Sequence, residues 1–142
     1  NQGSAEDKTT AIESLRKAIE IRPTYTIAHL ELARLMGAQG NFDEALAEYR
    51  TAGTITPNDS ALHYEIGLFL LQKEKYSEAQ TELETAVNLT PNFSNARWFL
   101  SQAYEKQENL SQAIEQVEKV VELNPNNQQA KDRLDELNKK LE

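Results

Sequence analysis

The chain has no cysteine, one tryptophan, one methionine and four prolines among its 142 residues. Without cysteine there is no disulfide, no thiolate nucleophile and no thiolate metal ligand, while reducing and oxidising compartments both stay open. Positive charge is scarce: 15 basic residues stand against 23 acidic ones, a formal net charge of −8. That balance is spread along the chain with no basic face, which argues against nucleic acid and anionic membrane surfaces as partners. Long apolar runs are missing too. The longest apolar-rich stretch, Ile66–Leu71, is far too short to span a bilayer, and no signal peptide is recognisable. The chain also offers no nucleophile with a base, no phosphate-cradling loop and no metal constellation, so it reads as non-enzymatic and free of cofactors. Its length suits one domain, with about two-thirds of the unfolded surface buried on folding.

What is present is a repeat. The four prolines fall at Pro23, Pro57, Pro91 and Pro125, and 57−23, 91−57 and 125−91 all equal 34. Between them the stretch Ser60–Pro91 reads as two helices and a turn, and its pattern recurs on both sides. Ala11, Ala45, Ala79 and Ala113 share one phase; Leu15, Tyr49, Leu83 and Val117 share a second; Ala18, Ala52, Ala86 and Val120 share a third. Small residues at fixed helix positions let a neighbouring helix come close, and the larger ones fill the space between. A period of this size marks stacked supersecondary units that cannot bury their apolar faces alone.

With each repeat counted so that its proline is position 32, the chain resembles a tetratricopeptide repeat (TPR) array. The TPR pattern wants small residues at positions 8, 20 and 27. Position 8 holds Ala33, Gly67 and Ser101, and position 20 is alanine throughout. Positions 7 and 11, large in the family, hold Leu32 and Met36, Ile66 and Leu70, Leu100 and Tyr104. The resemblance covers roughly residues 8–141 and implies an all-α fold, a right-handed α-solenoid. The usual aromatic at position 4 is replaced by His29, His63 and Arg97, and Gly53 sits inside a second helix, where it costs about 0.5–1 kcal/mol relative to alanine. Both departures are expected to weaken the repeats without changing the fold.

The expected organisation is a single TPR domain over 1–142. It comprises a half-repeat second helix at 8–23, repeats at 26–57, 60–91 and 94–125, and a capping helix at 128–142. Asn1–Asp7 is expected to be a frayed polar leader. Helices are expected near Thr26–Gln39 and Phe42–Ile55, Ser60–Lys73 and Tyr76–Leu89, and Ser94–Gln107 and Leu110–Leu123, with Asp59, Ser60 and Ser94 as candidate N-caps. In the last segment Leu134, Leu137 and Leu141 form one apolar stripe against a charged face, as suits a helix that ends a stack. The first helix has no partner helix before it, so the chain is expected to be a piece of a longer protein, with a half-repeat cap as the alternative.

In the TPR family, positions 2, 5, 9 and 12 of each first helix line a concave groove where partners lie. Those positions hold Ile27, Leu30, Arg34 and Gly37; then Ala61, Tyr64, Leu68 and Leu71; then Asn95, Trp98, Gln102 and Glu105. The middle helix is thus apolar on two faces, and exposed apolar or aromatic surface usually marks an interaction site. Packing between neighbouring first helices is the competing use of the same residues. Some TPR modules grip a chaperone C-terminus with lysine and asparagine at positions 5 and 9; Leu30, Tyr64 and Leu68 stand there, leaving only Arg34 for an anion, so that clamp is rejected. His29 and His63, one period apart, read as structural rather than as metal ligands. The sequon-like triplets at Asn58, Asn88, Asn92 and Asn109 are read as turn chemistry. The acidic pairs Glu82/Glu84 and Glu115/Glu118 are read as solvated faces.

The function expected on this basis is a non-catalytic scaffold binding an extended or helical protein segment in the groove. Tyr64, Leu68 and Trp98 would be apolar anchors, with Arg34 and Gln102 for orientation. Two alternatives stand beside it: self-assembly through the open N-terminal helix, or a soluble appendage of a bacterial membrane enzyme such as a glycan polymerase or ligase. No direct membrane insertion is expected, and no compartment follows from the sequence.

Overall fold

A computed structural model describes the chain from Gln2 to Glu142, with side chains described from Asp7 onward. The described residues form eight α-helices and no strand: α1 (Gln2–Ile21), α2 (Thr26–Ala38), α3 (Phe42–Ile55), α4 (Ser60–Gln72), α5 (Tyr76–Leu89), α6 (Ser94–Lys106), α7 (Leu110–Leu123) and α8 (Gln128–Leu141). The fold is an all-α helical repeat. The expected frayed leader is instead helical from Gln2, since nothing between Gly3 and Pro23 breaks the helix; Asn1 and the side chains of residues 1–6 lie outside the described residues.

The repeat punctuation sets the helix ends. The helices α1, α3, α5 and α7 each stop two residues ahead of a proline, which biases its predecessor away from helical geometry. The other turn closes differently. Position 15 of each repeat takes a left-handed conformation, at Gly40 (φ 83°), Glu74 (φ 58°) and Glu108 (φ 63°). The next amide then reaches back into the helix, from Asn41 to the Met36 carbonyl (2.9 Å), Lys75 to Leu70 (3.0 Å) and Asn109 to Tyr104 (2.9 Å). This is the bonding of a Schellman-type helix end. Asp59 caps α4 as expected, accepting from the amides of Ala61 (3.0 Å) and Leu62 (3.1 Å). Ser60 and Ser94 are not caps: each is the first helical residue, and Phe93 holds the cap position of α6 without a side-chain bond.

The chain divides into two compact units, Asn1–Asn58 and Asp59–Glu142. In the first, α2 and α3 pair as a hairpin and α1 lies against α2. Leu32, Ala33 and Met36 of α2 and Ala45, Leu46, Tyr49 and Ala52 of α3 are its buried residues at the repeat's small and large positions. In the second unit α4 pairs with α5 and α6 with α7; α5 packs on α6, α7 on α8, and α4 touches α6. A close approach lies at Gly67, where a Cβ would lie 2.6 Å from Cγ of the fully buried Leu83. On α8 Ala130 and Leu137 are buried, and Leu134 packs half-buried against the same core. Leu141, expected to join it, is 54% exposed, because it lies at the helix end beyond the last apolar contact.

Position 4 corrects a further expectation. His29 Nδ1 lies 2.6 Å from Glu48 Oε2, His63 Nδ1 lies 2.6 Å from Glu82 Oε2, and Arg97 Nη1 donates to Gln116 Oε1 at 2.7 Å. In every repeat the partner is 19 residues on, across the hairpin. Two of these side chains also hold the carbonyl of the preceding repeat's proline: His29 Nε2 is 2.8 Å from Pro23 O, and Arg97 Nε donates to Pro91 O at 2.8 Å. The missing aromatic is therefore replaced by a polar bracket that ties two helices and a turn together. Glu82 and Glu84 are consequently not a solvated pair, whereas Glu115 and Glu118 are exposed. Glu84 Oε1 accepts from the Tyr104 hydroxyl (2.5 Å) and from Gln80 Nε2 (2.8 Å), and Gln107 Nε2 donates to Gln80 Oε1 (2.8 Å). Burial, then the bond to Glu84 and the charges of Glu84 and Glu115, push the Tyr104 phenol well above its usual range.

Candidate partner-binding surface

The residues singled out by the repeat frame fall in both units. In the first, on α2, Ile27 is 58% exposed, Leu30 is half-buried and Arg34 is exposed. Arg34 Nη1 donates to Glu31 one turn earlier at 2.5 Å, so its charge is already shared.

In the second unit the stripe on α4 is Ala61, exposed, followed by Tyr64, Leu68 and Leu71, all half-buried. Much of this face is used inside the unit. The Tyr64 ring meets Phe93 at 4.8 Å and Phe99 at 6.0 Å between centroids, and Tyr64 and Leu71 lean on the core. Tilted ring pairs at such distances are favourable contacts. Burial raises the Tyr64 phenol above its ordinary value. Tyr64 is thus a packing residue as much as a surface one.

On α6, Asn95 is exposed while Trp98 and Gln102 are half-buried. Trp98 rests against the core on one side. On the other it borders an open hollow of about 420 Å³ whose far wall is α8, with Gln128, Asp132, Arg133 and Glu136. A second hollow, of about 810 Å³, lies between the same helices and is bordered by Gln102, Glu105, Arg133 and Lys140. Arg133 borders both. Glu105 pairs with Arg133 through one carboxylate oxygen and accepts from Lys140 Nζ at 2.6 Å through the other. The α8 wall was missed from sequence, where α8 reads only as a cap. Extending the repeat frame by one more first helix places Arg133 and Lys140 at positions 6 and 13 and would have found it.

His29 and His63 are taken up by Glu48 and Glu82, and the described residues hold no group of three or more side chains able to ligate a metal. No helix among the described residues is long and apolar enough to cross a membrane.

Paired helices repeating every 34 residues, with small residues at the crossings, define a helical-hairpin repeat protein. The Tetratricopeptide repeat family model matches residues 4–64 and 70–135, and the chain belongs to that family. No curated protein gives a match. Among solved structures, MamA (residues 41 to the end) from Desulfovibrio magneticus RS-1 is similar over 94% of this chain and 75% of its own, with 22% identity and a TM-score of 0.80. The first TPR of Spaghetti (RPAP3), bound to the HSP90 peptide SRMEEVD, is similar over 82% of this chain and 92% of its own, with 24% identity and a TM-score of 0.72. PilF of Pseudomonas aeruginosa is similar over 96% of this chain and 63% of its own, with 28% identity and a TM-score of 0.77. These likenesses show the fold. Members of the family are typically non-catalytic scaffolds for protein–protein interaction.

Proposed function

We propose that the chain binds a protein or peptide segment on the first-helix faces, with the α6–α8 surface as its centre. The observation that carries this is Trp98, the only tryptophan, half-buried and flooring an open hollow edged by polar side chains of α8. An aromatic floor within a polar rim is the anatomy of an interface hot spot. Leu68 on α4 adds apolar surface, while Ala61, Asn95 and Gln102 supply small or polar edges. The RPAP3 repeat binds an HSP90 peptide; here Leu30, Tyr64 and Leu68 replace the lysine and asparagine of a chaperone-tail clamp, so the partner's terminus is not gripped in that way. Comparing proteins captured from source cells by the unmodified chain and by Trp98→Ala tests the reading. A partner lost only from the variant supports it, and identical capture moves the site elsewhere.

Self-association is the second reading, supported by α1. Ala11, Leu15 and Ala18 are half-buried, whereas their nine counterparts in α3, α5 and α7 are between 0 and 4% exposed. A second copy covering this face would bury it as the other repeats bury theirs. Sedimentation should then show a dimer that Leu15→Glu dissociates; a monomer at high concentration rules it out.

A further inference from the structure

The first unit has an open hollow at a place that the second unit fills from within. In the second unit α5 and α7 both pack on α6 and not on each other. Tyr104 of α6 reaches between them: it is 7% exposed, its hydroxyl donates to Glu84 of α5 at 2.5 Å, and the charge of Glu115 on α7 acts on it. In the first unit α1 and α3 stand in the same relation to α2. The counterparts of Tyr104, Glu84 and Glu115 there are Met36, Arg16 and Ala47, since 104−36, 84−16 and 115−47 all equal 68, two periods. A thioether, a guanidinium and a methyl group thus stand where the second unit has a phenol and two carboxylates. A hollow of about 350 Å³ is bordered by all three, with half-buried Ile19 as further apolar surface.

The charged residues at its border are Arg16, Glu20, Glu44 and Glu48. Arg16 pairs with Glu44 at 3.4 Å, and Glu48 lies 2.6 Å from the His29 ring. One guanidinium against three carboxylates leaves −2, and −1 with His29 counted as a cation. Glu20 is exposed and has no ion-pair partner among the described residues.

We propose that this hollow takes a tyrosine side chain of a partner protein, presented beside a lysine or arginine, so that an external ring does in the first unit what Tyr104 does in the second. The ring lies against the Met36 thioether, Ile19 and Ala47, a sulfur–aromatic contact within an apolar lining. The Arg16 guanidinium at the border is placed to cover the ring face. The phenol donates to a border carboxylate, as Tyr104 donates to Glu84, and the neighbouring cation meets Glu20. An acidic flank would instead meet a border of its own sign on a chain of net charge −8. On α2 the hollow uses Met36, not the stripe of Ile27, Leu30 and Arg34. The proposal therefore stands independently of the α6–α8 reading.

Met36 is the sole methionine, so its methyl group, labelled with carbon-13, is a single magnetic-resonance reporter inside the hollow. The full chain is titrated with three end-blocked octapeptides of alternating lysine–tyrosine, lysine–alanine and glutamate–tyrosine. The lysine–tyrosine peptide is expected to shift the methyl signal saturably and to bind about tenfold or more tighter than either of the others. Ala47→Lys, which blocks the hollow from an exposed helix position, should weaken it about tenfold or more, and Glu20→Gln about threefold. Met36→Tyr, which fills the hollow as Tyr104 fills its counterpart, should abolish binding in calorimetry. Should that core change disturb the fold, which circular dichroism checks, Ala47→Lys carries the test. Trp98→Ala should bind the peptide as the unmodified chain does. A methyl signal that stays in place, or that moves as readily with either control peptide, overturns the proposal, and so does undiminished affinity in Ala47→Lys. Binding lost on Trp98→Ala but kept in Ala47→Lys overturns it too, while supporting the α6–α8 surface. A signal that shifts with protein concentration alone, and no longer does so in Tyr25→Ala, overturns it in favour of a second copy, whose exposed Tyr25 has Arg22 over its ring at 5.5 Å.

Discussion

At the scale of single residues the repeat frame hides differences that packing exposes. Position 8 reads as small everywhere, but only Gly67 has Leu83 atoms at 2.6 and 2.8 Å from its would-be Cβ. Gly67→Ala should cost about 1–3 kcal/mol in denaturant unfolding through overpacking, even though alanine is native at position 8 of the first repeat. Ser101, at the same position, carries a buried hydroxyl with no hydrogen-bond partner among the described residues. Ser101→Ala should therefore be neutral, or stabilising by up to about 1 kcal/mol, in the same assay. Glu82→Ala removes the carboxylate beside the His63 ring, whose side chain is 12% exposed, and should cost about 1–3 kcal/mol. Exposed Glu118→Ala should stay within about 0.5 kcal/mol of the parent. Tyr104, whose folded phenol sits above the ordinary value of 10.0, favours the folded state fully below that pH and ever less as pH climbs beyond it. Alkaline titration of stability should show this loss, and Tyr104→Phe should reduce it.

At the scale of the element, each first helix closes through a left-handed residue, but only the first repeat supplies glycine there. Glu74 and Glu108 hold positive φ against the steric preference of a side-chain-bearing residue. Glu74→Gly and Glu108→Gly should each raise stability by up to about 1 kcal/mol, and Gly40→Glu should lower it by about the same, measured as shifts in unfolding midpoint. The helices themselves were legible in the sequence. Their starts and stops follow from proline spacing, from Gly40-Asn41 and from apolar periodicity, all local signals. The brackets at His29, His63 and Arg97 were not legible, because each partner lies across a hairpin and is an ordinary polar residue in its own helix. For the same reason Glu82 and Glu84 read as solvated: a helix wheel shows which residues share a face, not what that face meets. Leu141 misled in the opposite direction, since periodicity continues past the point where there is anything to pack against.

At the scale of the molecule, the family membership was legible because many positions agree in phase, and a 34-residue period of this kind is satisfied by few other architectures. The candidate surface was only half legible. The stripe through Tyr64, Leu68, Trp98 and Gln102 could be read off the frame, but the commitment of Tyr64 to Phe93 and Phe99 could not, nor could the α8 wall that turns Trp98 into the floor of a hollow. The family supplies scaffolds for protein–protein interaction, and the reading proposed for this chain centres on its sole tryptophan beside the hollow between α6 and α8. The most direct test is calorimetry of the captured partner, or of its binding segment, with the unmodified chain and with Trp98→Ala, after confirming that both unfold at the same denaturant concentration. A loss of about 2 kcal/mol or more of binding free energy is expected for the variant. Undiminished affinity would contradict the account and leave the α1 face as the surface to pursue.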